Sequence, residues 1–61
     1  MNKTNELITL TRIDDTKLYV NRNHISAFYY NKSWEYTIVI LSDSTPLDVK
    51  DSVESIAKYF S

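Results

Sequence analysis

Apolar and polar positions alternate from Leu7 to Arg12, with Ile8 and Leu10 on one side and Thr9 and Thr11 on the other. A period of two is the mark of a strand with one face against a core. Asp14-Asp15-Thr16 interrupts the pattern with residues that suit a turn, and Lys17-Leu18-Tyr19-Val20 resumes it with Leu18 and Val20 inward. These two segments predict a hairpin. Asn21-Arg22-Asn23-His24 is polar and competes with its own backbone for hydrogen bonds, so a connecting loop or a single helical turn follows.

From Ile25 to Tyr30 the chain is apolar and aromatic, Asn31-Lys32-Ser33 breaks it, and Trp34 to Leu41 is rich in β-branched and aromatic residues. This predicts a second hairpin. Asp43-Ser44-Thr45 is the next turn, and Pro46 to Val49 reads as a short edge strand with Leu47 and Val49 inward, because proline is tolerated only at the start or edge of a sheet. In Asp51-Ser52-Val53-Glu54 the aspartate is placed to cap a helix, with Glu54 reaching back as in a capping box. Val53, Ile56, Ala57 and Phe60 then share one helical face, while Glu54 and Lys58 form an i,i+4 pair on another. A helix of about three turns is expected. The whole reads as an α+β domain over residues 6–61: an antiparallel β-meander of four to five strands followed by one C-terminal amphipathic helix packed on the sheet. Residues 1–5 read as a loose N-terminal tail.

Counting faces adds a functional expectation. Ile38 to Leu41 is apolar on both sides, and its hairpin partner carries Phe28 and Tyr30 on one side with Ala27 and Tyr29 on the other. One short helix covers one side only. The sheet then either curls into a small barrel or offers its second face to another chain. The candidate interaction surface is Ala27, Phe28, Tyr29, Tyr30, Trp34, Tyr36, Val39 and Leu41.

Composition sharpens this picture. At 61 residues one core barely offsets chain entropy, and with no cysteine and a lone His24 the chain has neither a disulfide nor a structural zinc site to help it. Tight packing or self-association is left. There is no glycine, so Asn and Asp must supply any positive φ in the hairpin turns, or the loops must exceed two residues. The net charge of −1, with charges scattered, is not the footprint of a phosphate-backbone binder. The polar start of the chain and the lack of a run of about 20 apolar residues argue against a signal peptide or membrane span, so a cytoplasmic protein without membrane insertion is expected.

Candidate chemistry is sparse. The aromatics around Lys32 could stack on the bases of single-stranded nucleic acid, although no basic cluster flanks them. His24 has no nucleophile or carboxylate in a recognisable motif, and the adjacent Asp14-Asp15 pair lacks the spaced oxygen ligands of a calcium loop. Asp43, Asp48 and Asp51 read as turn, strand and cap residues. No catalytic, metal or cofactor residues are expected.

Ile8-Thr9-Leu10-Thr11-Arg12-Ile13, Leu18-Tyr19-Val20-Asn21, His24-Ile25, Thr37-Ile38-Val39-Ile40-Leu41 and, best of all, Val49 to Glu54 follow one another in a layout that resembles the small FlbD/SwrD-like flagellar-associated proteins. The resemblance covers most of residues 7–57. Where that family places hairpin glycines this chain has Asp15 and Ser44, and its central aromatic segment and slightly longer loop also depart from the pattern. The resemblance implies a small bacterial accessory protein; a diverged relative encoded by a phage or mobile element fits the departures. The expected function is a non-enzymatic accessory protein acting through protein contacts, as a homo-oligomer or with a protein partner. A small regulatory or single-stranded nucleic-acid-binding protein is the alternative.

Overall fold

The computed structural model describes residues 6–61, so the expected tail at 1–5 lies outside the described residues. Five strands and a short C-terminal helix form an α+β domain: β1 (Leu7–Thr11), β2 (Lys17–Asn21), a 3₁₀ turn at Arg22–His24, β3 (Ile25–Asn31), β4 (Tyr36–Leu41), β5 (Pro46–Val49) and α1 (Val53–Ala57), which tightens into a last 3₁₀ turn at Lys58–Phe60. β1 and β2 form one antiparallel hairpin, and β3, β4 and β5 form an antiparallel sheet in that order.

The two pieces are sewn together at one seam. Arg12 bridges to Val49, the Lys50 N–H donates to the Thr11 carbonyl at 2.8 Å, and the Ile13 N–H donates to the Asp48 carbonyl at 3.2 Å. This lays the end of β1 beside the end of β5, while the two sheets stay separate. The C-terminal segment links the end of β2 to β3. Arg22, just after β2, donates to the Tyr59 carbonyl, while the Phe60 ring stacks on Phe28 of β3 at 5.7 Å. Beneath it sits the core: Ile8, Leu10, Val20, Val39, Val49 and Ile56, with Leu18, Ile25, Phe28, Leu41 and Leu47 packed around them.

Two of the three hairpin turns are built alike. Asp15 and Ser44 hold φ of 72° and 73°, and their N–H groups donate to the Arg12 and Leu41 carbonyls, each at 2.8 Å. Asp14 and Asp43 accept from the N–H of Thr16 and Thr45, each at 3.0 Å. These are type I turns followed by one left-handed residue, the position where hairpins of this length favour glycine. In the third turn the left-handed residue is Glu35, φ 62°. All three loops exceed two residues, the second of the two expected ways round the missing glycine, and their positive φ falls on Asp15, Glu35 and Ser44.

The boundaries differ from expectation at two points. β4 starts at Tyr36 rather than Trp34, because the Asn31 side chain accepts from Trp34 N–H at 3.0 Å and its carbonyl from Glu35 N–H at 2.7 Å, which keeps the chain turning. The helix cap is Ser52, whose hydroxyl accepts from Ser55 N–H at 3.1 Å, and not Asp51. Asp51 is drawn away by tertiary structure: its carboxylate accepts from Thr11 N–H at 2.7 Å. The helical segment spans about two turns rather than three. Of its apolar face only Ile56 is fully buried; Val53 is half-buried, and Ala57 and Phe60 are exposed. Glu54 and Lys58 form no ion pair; among the described residues the recorded pair is Lys50 with Asp15.

Candidate interaction face

The register decides which side of each strand meets the core. Phe28 lies opposite Val39 and Tyr30 opposite Thr37, while Tyr29 lies opposite Ile38 and Ala27 opposite Ile40. On the far side of β4, Val39 faces Leu47, and Ile38 faces Asp48. Because Val39 is 0% exposed, every residue sharing its parity points inward. The outer face is therefore Ala27 and Tyr29 on β3, Tyr36, Ile38 and Ile40 on β4, and Pro46 and Asp48 on β5.

This splits the expected surface in two. Ala27, Tyr29 and Tyr36 do share the outer face. Trp34 stands in the β3–β4 turn and stacks on Tyr36 at 6.5 Å between ring centres, extending the face at one end. Val39 belongs to the core and leaves the candidate surface, and Phe28 and Leu41 pack against that core. Tyr30 has inward parity, yet it stays half exposed. Ile38 and Ile40 were missed. Their signal was in the turn: once Asn31 and Tyr36 close the hairpin, counting back pairs Tyr29 with Ile38 and Phe28 with Val39.

Electrostatically the outer face is nearly bare, with Asp48 its one formal charge. Partial removal from water, and then the Asp48 carboxylate beside it, raise the Tyr36 hydroxyl above the ordinary tyrosine range. A kink interrupts the face at Ser26, where the β3–β4 register shifts and the hydroxyl donates to the carbonyls of Ile40 and Leu41 at 3.2 and 3.3 Å. Such a bulge is a recurrent device for bending a sheet near its edge.

A cleft of about 650 Å³ opens where the β3–β4 turn meets the start of α1, lined by Ile13, Tyr30, Tyr36 and Val53, with Glu35, Lys50 and Glu54 beside them. Ser52 and Thr37 also line it, the Ser52 hydroxyl being engaged as the helix cap. His24 is exposed in its 3₁₀ turn, where its carbonyl accepts from the Ser42 backbone and side chain. Among the described residues no group of three His, Cys, Asp or Glu side chains could hold a metal ion. Nor is any helix among them long and apolar enough to cross a membrane.

Compared with known proteins, the chain matches no family model, no curated protein and no solved structure.

Proposed function

We infer that this chain is a non-enzymatic interaction protein that associates with copies of itself through the outer face of the β3–β4–β5 sheet. One observation carries the reading: Ala27, Tyr29, Tyr36, Ile38, Ile40 and Pro46 share one face of the sheet, on which Ala27, Tyr29 and Pro46 are exposed and Tyr36, Ile38 and Ile40 are half-buried. Among the described residues six apolar side chains are buried and eight large ones are exposed, Tyr29 on this face and Trp34 at its end among them. A net charge of −1 offers little repulsion between copies. A second copy presents the same largely apolar surface, with Asp48 its one formal charge, and is its natural complement. An accessory role of the kind implied by the resemblance to flagellar-associated proteins is compatible with such a module.

The test is mass in solution as a function of concentration, by sedimentation or light scattering. Association that rises with concentration and disappears in Ile38→Asp supports the reading; a monomer at every concentration overturns it. The nucleic-acid alternative loses one of its aromatics, since the Phe28 ring is taken by Phe60 and lies against the core.

A further inference from the structure

The cleft where the β3–β4 turn meets α1 takes no part in the association proposed above, except that Tyr36 borders both. Its volume of about 650 Å³ lies within the roughly 300–1,000 Å³ of small-molecule sites. Ile13 and Tyr30, exposed to 45% and 52%, give it apolar and aromatic surface that the fold leaves uncovered, and Tyr36 and Val53 are half-buried beside them. Walls of this kind suit a ligand with an apolar body.

The charges of the lining are one-sided. Lys50, its one cation, is already paired with Asp15, which stands outside the lining. Glu35 and Glu54 remain, one from each of the two elements between which the cleft opens. Among the described residues neither carboxylate is in an ion pair, and none of the side-chain hydrogen bonds is theirs. Glu54 stands where a capping box would use it, but the cap is made by Ser52 with Ser55, and the glutamate is left over. Glu35 holds the left-handed position of its turn, φ 62°, which a glycine would take at lower cost, and so a carboxylate is kept there against local preference.

We propose that this cleft binds a small aliphatic diamine or polyamine, with its ammonium groups against Glu35 and Glu54 and its methylenes along Ile13, Tyr30, Tyr36 and Val53. Other ligand classes fit the chemistry less well. An anion would meet two carboxylates and a lysine that is already paired. A neutral apolar molecule would take water from both carboxylates and return no hydrogen bond. A cation with one charge would leave one of them in that state. A metal ion would lack ligands, since no group of three His, Cys, Asp or Glu side chains occurs among the described residues. Two ammonium groups on one flexible chain answer both carboxylates, and the tyrosine rings present faces that attract a cation. The site does not depend on self-association.

Titration of the full chain at low ionic strength with putrescine, butylamine and butanediol, followed by amide NMR shifts, compares two charges, one and none on bodies of equal length. Putrescine is expected to bind about fivefold more tightly than butylamine, with shifts centred on Thr37 and Val53, and butanediol to give none. Glu35→Gln and Glu54→Gln should each bring putrescine to the butylamine level, and neither removes a hydrogen bond that the fold uses. Asp43→Asn makes the same change of charge at the far end of β4 and should leave binding within about twofold of the wild type. Equal affinity for putrescine and butylamine would overturn the two-carboxylate site. So would equal losses from Asp43→Asn and the glutamine variants, which would show only the field of an acidic surface, and so would the absence of shifts at Thr37 and Val53 in millimolar putrescine. Sedimentation of the same samples reads the outer face separately, so either proposal can fail while the other stands.

Discussion

The β1–β2 hairpin and the β3–β4–β5 sheet share one core and differ on their outer surfaces. The hairpin turns Leu7, Thr9 and Thr11 outward against Asn21, Tyr19 and Lys17, with the Lys17 ammonium donating to the Thr11 hydroxyl at 3.1 Å. The sheet turns out alanine, tyrosine, isoleucine and proline. Both have a period of two, and both bury their other side against the same residues. What distinguishes them is the share of polar groups: beside Leu7 and Tyr19 the hairpin sets Thr9, Thr11, Lys17 and Asn21 outward, whereas the sheet sets out one charged residue, Asp48, among apolar and aromatic ones. The proposed association draws on the second surface and not on the first.

Ile56 is where the comparison breaks most severely. It is fully buried under both halves, so Ile56→Ala is expected to cost about 2–5 kcal/mol and to melt hairpin and sheet together in one thermal transition. Two transitions would show instead that the halves are independent. Matched substitutions on the outer faces probe the difference itself. Ile38→Asp should abolish association and Thr9→Asp should leave it intact, and equal effects by light scattering would erase the distinction between the faces. The link between the halves is next. Asp51→Ala removes the acceptor of Thr11 N–H and should cost about 1–2 kcal/mol in urea unfolding. The turns come after that. Glu35→Gly relieves a left-handed glutamate in the sheet and should stabilise by about 0.5–1 kcal/mol, while Asp15→Gly in the hairpin should gain less because the Asp15 carboxylate pairs with Lys50.

The smallest effect is acid sensitivity, and it should be shared by both regions. Hydrogen bonds from Thr16 and Thr45 hold the carboxyls of Asp14 and Asp43 below their ordinary value of 3.8. Their contribution is present above that value, where the unfolded chain is also ionised, and is lost as pH falls through the lowered folded value. Asp14→Asn and Asp43→Asn should each flatten the acid limb of the melting-temperature profile; an unchanged slope would show that these turns carry no linkage.

Much of the fold was readable because local rules governed it. Alternation placed Ile8, Leu10, Leu18 and Val20, and the Asp/Ser/Thr clusters marked two turns in their correct places. The misreadings lie where a distant segment intervenes. Ile38 to Leu41 is apolar at every position, so no local pattern tells its inner side from its outer side, and only pairing with Phe28 and Leu47 puts Val39 in the core. Asp51 and Ser52 are both competent caps, and the choice between them is made by Thr11, 40 residues away. The existence of an uncovered face was legible from the count of apolar sides; its membership needed the register.

The seam between Thr11–Ile13 and Asp48–Asp51 also bears on how the chain folds. Each hairpin closes a short loop and can form on its own within microseconds. Ile56 has no enclosed site until a strand from the first fifth of the molecule has found one from the last quarter. Those contacts span most of the sequence, and closing so long a loop costs entropy before any core is gained. Nascent chain emerging from a ribosome would therefore carry two loose ribbons, their inner apolar sides uncovered, until the residues around Asp51 are free. The interval before that closure, rather than the finished domain, is when this protein is most exposed to aggregation.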